Sequence, residues 1–323
     1  MQKHPRHAIV HIKCLDRSKN EVKTVANLRM LTNISYARAQ YLAETNVKTF
    51  LQWLRALVMA PPGSLTHSYR IRLKGRGRIT QSWSCGSLRE AWQHYEWGKG
   101  SARDFIANKT ILDKLQSDLH DSLRKRDERR ALATCIDVQK WGGTLRNIPA
   151  LMTLSATDGL ITYLPECKAA FAAANGTGRL CFPASFISNA GFTKIYSLLC
   201  EDFVIYDSRV AAALGMLIIR WCKQHRPLLT KVPPTLSVRW KAGKEGARAR
   251  VPKNRNPSRA PYELSEWHTR GSHVTSNVWA NWLLSAAVPA GRLWGITRSA
   301  DKLRALEAAL FMVGYEVPGD AAL

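Results

Sequence analysis

The chain has 323 residues, 46% of them hydrophobic and 22% charged, which is ordinary globular composition with enough apolar side chains to bury a core. Forty-eight Lys and Arg against 24 Asp and Glu leave a formal charge of +24, and a polyanion is the partner that such an excess serves, through counterion release from a phosphate backbone. Seven scattered cysteines without a C-x-x-C pair argue against a disulfide framework, a zinc ribbon or an iron–sulfur site and fit a reducing compartment.

The N-terminal stretch is interrupted by charge, and no uncharged run approaches ~18 residues, so a cytoplasmic protein without a signal peptide or spanning segment is expected. From Asn27 to Val58 the apolar residues Leu28, Leu31, Ala39, Leu42, Phe50, Trp53, Leu54 and Leu57 recur at helical spacing. They predict one or two helices ending at Pro61-Pro62-Gly63. In the next segment Tyr69, Ile71 and Leu73 alternate with Arg70, Arg72 and Lys74, which in a strand gives one apolar and one cationic face. The cationic face suits solvent or DNA equally.

Ser87 to Val138 is helical in pattern, and its charge run DSLRKRDERR reads as a solvated helix face. The Gly pair of Trp141-Gly142-Gly143 breaks that pattern, either as a plain turn or as a place where a ligand comes close to the backbone. Residues 155–178 are small and weakly patterned and predict a loop punctuated by Gly176 and Gly178. Val238 to Arg259 carries many cations, two glycines and two prolines, predicting a mobile basic loop, either an ordinary disordered insertion or, favoured by the overall charge, a clamp on phosphates through Lys241, Lys244, Arg248, Arg250, Lys253 and Arg255. Helical pattern returns over Asn277–Val288 and Asp301–Val313, the latter with Leu303, Leu306, Leu310 and Val313 on one face and Gly314 as stop signal.

The segment GFTKIYSLLCEDFVIYDSRVAAALGMLI carries the chemistry. It reads as a turn with Lys194, a short helix, an extended Val204-Ile205-Tyr206, and Asp207 opening a second helix, where a carboxylate caps free N–H groups. The two side chains are expected to share one cleft. Nine His show no H-E-x-x-H or comparable spacing, so no metal or other cofactor is expected.

On these residues the stretch resembles the helix-hairpin-helix DNA glycosylases, most closely the group with the 8-oxoguanine glycosylase fold. Thr193-Lys194-Ile195 is similar to the family's Thr-Lys-Val step, and Val204-Ile205-Tyr206-Asp207 to its extended approach to a catalytic aspartate. Trp141-Gly142-Gly143 with Asn147 also looks like a pattern in that group. Where the family's hairpin has Gly-Val-Gly before Thr-Lys, this chain has Ala190, Gly191 and Phe192. The resemblance implies a mainly α, two-lobed fold with minor strands, arranged as an N-terminal helical region and basic strand over 1–80 and a catalytic region over 81–323, or as one continuous unit.

It also implies Asp207 and Lys194 as catalytic residues, Gly191 and Thr193 as backbone donors to a phosphate, and Arg209 in support. Trp141 and Asn147 are the expected base pocket. The partner would be double-stranded DNA containing a modified base, with no obligate protein partner. The expected reaction is base excision, either in defence against phage DNA bearing glucosylated hydroxymethylcytosine or in repair of oxidised guanine, with or without strand nicking. A DNA-holding protein without chemistry is the main alternative; a nuclease is less well served, because no cluster of carboxylates has metal-binding spacing.

Overall fold

The computed structural model describes residues 13–15, 22–24, 28–33, 36–72, 80–98, 103–225, 228–243 and 253–318. Among them the chain is mainly helical with three small two-stranded sheets. Strands β1 (Lys13–Leu15) and β2 (Val22–Thr24) pair antiparallel, and β3 (Leu28–Asn33) pairs antiparallel with the distant β6 (Arg179–Pro183). Residues 28–33, expected to be helical, are therefore strand: Leu28 and Leu31 fit a helical period, but pairing with β6 overrides that local pattern.

Helices α1 (Arg38–Ala43) and α2 (Thr45–Met59) follow, and α2 stops before the proline pair as predicted. Strands β4 (His67–Arg72) and β5 (Thr80–Cys85) form a hairpin in which Tyr69 is buried and Arg70 exposed, matching the predicted alternation. Leu73 and Lys74 lie outside the described residues. The expected boundary between residues 80 and 81 falls inside this hairpin, and side chains from both sides of it share one buried cluster running from Tyr41 to Val317.

The charge run does not lie on one helix face. It spans the end of α4 (Phe105–Arg124), a turn at Arg126, and the start of α5 (Glu128–Trp141). The short α3 (Leu88–Gln93) precedes α4. Residues 155–178, expected to form a loop, instead complete α6 (Ile148–Thr157) and build α7 (Leu160–Thr177). The inner face of α7 is Leu160, Tyr163, Leu164, Cys167, Ala170, Phe171 and Ala174, helical in period but built partly from small residues. Gly178 ends α7 in the left-handed region at φ 66°, where a Cβ would also lie 2.2 Å from the Tyr36 carbonyl oxygen.

Residues 184–191 lead from β6 into α8 (Phe192–Leu199), so the lysine turn is followed by a short helix as expected. The core helix is α9 (Ser208–Gln224), buried without interruption from Val210 to Ile219. An all-round apolar helix must be wrapped by others, and α2, α10 (Arg270–Ala287) and α11 (Ser299–Val313) contribute to the same cluster. Fully burying each of its Leu, Ile and Met side chains contributes about 1.5–3 kcal/mol. No helix among the described residues is long and apolar enough to cross a membrane.

Candidate active site

Residues 203–206 run extended into α9 without a partner strand, and all four are buried. Their backbone polar groups are instead satisfied by side chains. Val204 N–H donates to Asn281 Oδ1 at 2.9 Å, and its carbonyl accepts from Asn277 Nδ2 at 3.2 Å. Ile205 N–H donates to the Glu307 carboxylate at 2.6 Å. The Tyr206 carbonyl oxygen is 3.1 Å from His273 Nε2. A carbonyl only accepts, so Nε2 carries the proton and Nδ1 accepts from Ser188 Oγ–H at 2.6 Å. Burial holds His273 down at about 4 from its ordinary 6.5, although the Tyr206 carbonyl and the Asp207 charge oppose this. Leaving one such buried group unpaired costs about 1–3 kcal/mol.

That cradle ends at Asp207, the N-cap of α9, whose Oδ1 accepts from the amides of Arg209 at 2.9 Å and Val210 at 3.0 Å. Lys194 lies in the first turn of α8, buried, with Nζ donating to the Ala190 carbonyl at 3.0 Å. Burial pushes its amine below the ordinary lysine value, Asp207 and Glu307 oppose that, and Arg209 adds to it. The Asp207 charge therefore acts on the Lys194 amine, whose own hydrogen bond goes to Ala190. Gly142 makes the room: a Cβ there would lie 2.3 Å from Lys194 Cδ and 2.5 Å from Cε.

A closed ring of uncharged groups fixes the Gly191 turn. Gly191 and Phe192 amides donate to Asn189 Oδ1, Asn189 Nδ2 to Asn147 Oδ1, Asn147 Nδ2 to Gln139 Oε1, and Gln139 Nε2 to the Gly191 carbonyl. This corrects three expectations. The Gly191 amide is already used inside the protein. Thr193 is wholly buried, its amide donating to the Asn189 carbonyl and its hydroxyl to that of Ala190, so neither residue turns a donor to a phosphate. Both ends of the Asn147 amide are engaged, so it packs the turn rather than reading a base.

Trp141 is half-buried, with its indole N–H spent on Asn108 Oδ1 at 2.8 Å. Trp97, Phe311 and Tyr315, all partly exposed, gather on the Arg209 guanidinium, which lies 5.6, 4.2 and 4.7 Å from their centroids, and Tyr315 also stacks on Tyr69. Trp97 meets Trp141 and Phe311 edge-on, and Gly143 lies beneath it. No local pattern announces that Trp97, far from Phe311 and Tyr315 along the chain, meets them here. Leu145, 57% exposed, projects from a turn whose ends both pack against residues 191–194, through Gly142 and through Asn147.

The basic segment 238–259 is partly built into the fold. Lys241 pairs with Glu266, and Lys253 pairs with Glu316 and donates to the Arg70 carbonyl. Arg255 is buried, donates to Ser208 Oγ beside Asp207, and occupies the space where Gly243 lacks a side chain. These residues serve structure, contrary to the expected phosphate clamp, because their charges are engaged within the chain. Lys244, Arg248 and Arg250 lie outside the described residues. A separate cavity of about 760 Å³ opens between α4, the end of α8 and the start of α11; its Lys109, Arg298, Asp113 and Asp301 neutralise one another.

Among the described residues no group of three or more His, Cys, Asp or Glu is placed to hold a metal ion. The site thus offers a carboxylate held at a helix start, a buried amine whose basicity burial lowers, and a group of partly exposed rings packed on the Arg209 guanidinium. Compared with protein-family models, curated proteins and solved structures, the chain matches none of them.

Proposed function

We propose that this protein is a DNA glycosylase that excises a modified base. What supports the reading is a buried Lys194 amine, its basicity lowered by burial and acted on by the charge of Asp207, a carboxylate fixed by the α9 cap. The charge of +24 supplies attraction for DNA. In this reading the target nucleotide swings out of the stack, and its base approaches the partly exposed Trp97, Phe311 and Arg209 side chains. Leu145 fills the gap it leaves, as apolar wedges do between base steps.

The C1′–N bond then breaks with its electron pair leaving on the base, and positive charge builds on the sugar. The Asp207 carboxylate stabilises that charge. The bond that forms at C1′ comes from water, leaving an abasic site, or from the Lys194 amine, whose neutral form is favoured by burial and keeps its lone pair while donating to Ala190; the proton the nucleophile loses passes to the Asp207 carboxylate, and the departing base takes one from solvent. Glucosylated hydroxymethylcytosine of phage DNA is the proposed substrate class, and oxidised guanine is the competing one.

The test incubates the protein and Asp207→Asn with unmodified, oxidised and glucosylated phage DNA in EDTA, then counts abasic sites. We expect abasic sites on one modified DNA, at least 100-fold fewer with the variant, and near-equal thermal stability, because Asn caps a helix as well as Asp. Borohydride trapping then separates amine from water attack. Binding to all three DNAs without abasic sites would sink the reading in favour of a protein that only holds DNA.

A further inference from the structure

The polar contacts to residues 204–206 come from a regular stripe. His273, Asn277 and Asn281 stand four residues apart on one face of α10, and such residues stack along a helix. The stripe is buried, with His273 and Asn277 each 1% exposed and Asn281 6% exposed. Polar side chains are not put in an apolar core without a task, since each must be matched there. The task visible here is to replace a partner strand: the stripe engages one face of the extended segment while Glu307 of α11 engages the Ile205 amide between them. Asn277 also donates to Asn281 Oδ1 at 3.2 Å, fixing which way both amides point.

Two of these groups reach beyond the segment to the lysine-bearing helix. His273 holds Ser188, in the stretch leading into α8, and Tyr206, directly before Asp207. Glu307 holds Ile205 and, through Arg304, the Ser197 carbonyl, three residues after Lys194. The Asp207 segment is thereby tied to α8 both before and after Lys194. We propose that α10 is a positioning element of the site, its His273–Asn277–Asn281 stripe acting with Glu307 to set where the Asp207 carboxylate stands relative to the Lys194 amine. None of the four need touch DNA; they are positioning residues, and their catalytic meaning rests on the glycosylase reading.

The experiment compares His273→Leu, which removes both contacts, with His273→Gln, whose amide retains a donor at the Nε2 reach. Asn281→Leu serves as the second variant should His273→Leu fold poorly. The first readout is the titration of Lys194, followed by NMR of lysine labelled at Cε, which requires no DNA. Asp207, Glu307 and Arg209 are the charges acting on that amine. His273 is uncharged at neutral pH, so its replacement changes no charge and a moved midpoint reports moved atoms.

We expect both Leu variants to shift the Lys194 midpoint downward, the direction Asp207→Asn produces, and His273→Gln to restore it. The second readout is single-turnover excision below the melting temperature. There the Leu variants should lose about 100-fold in rate, the size expected when a reacting group is misplaced by about 1 Å, with DNA affinity within about threefold of wild type. A Lys194 midpoint unmoved in both Leu variants overturns the positioning role and leaves the stripe a matter of stability alone. Wild-type protein that makes no abasic sites overturns the glycosylase reading instead, and the titration still decides the role of α10.

Discussion

Gly142 shows how one missing side chain can define a site. Its φ of −76° is open to any residue, so nothing in its backbone asks for glycine; what a Cβ would meet is the Lys194 chain. Gly142→Ala is therefore expected to cost about 1–3 kcal/mol by overpacking, and to cost almost nothing in a Lys194→Ala background. Urea titration of the four proteins in this double-mutant cycle measures that coupling; equal costs in both backgrounds would place the crowding elsewhere. His273 makes a second prediction. Its folded value near 4 lies below the unfolded 6.5, so the unfolded chain takes up the proton first. The stability due to neutral burial is complete above about pH 6.5 and lost as pH falls to about 4, roughly 3 kcal/mol in all. Subtracting the pH–stability curve of His273→Gln from that of wild type isolates this loss.

Elements differ in how openly the sequence declares them. The α9 start was legible because all its signals are local: an aspartate, two free amides after it and an apolar run. Strand β3 was not, since its partner β6 lies far along the chain. Helix α7 hid for another reason: Ala and Cys are three of the seven residues on its inner face, and Pro165 sits inside it. The site divides the same way. The Asp207 cap and the Lys194 turn are readable from sequence, whereas Gln139, Asn147 and Asn189 each look like surface polar residues until the fold closes them into a ring. Arg255 was read as a loop cation, and only the gap at Gly243 explains how a guanidinium could sink beside Ser208. Spacing within one helix is also a signal: the Asn277–Asn281 pair, read with His273, could have announced a buried polar stripe.

For the molecule as a whole, the proposed function makes charge govern the encounter with DNA. If about six cations neutralise phosphates, affinity should fall about a thousandfold between 50 and 200 mM salt, read as the slope of log Kd against log salt. A flat slope would mean that the charge of +24 is not what holds DNA. The ring that fixes the Gly191 turn has no such sensitivity, because amides and carbonyls alone compose it. Ionic screening, which weakens interactions between exposed charges, passes it by. Grip and geometry thus answer to different solvents. Raising salt should increase KM steeply while kcat at saturating DNA stays level, so ionic strength becomes a dial that releases the substrate without loosening the machine.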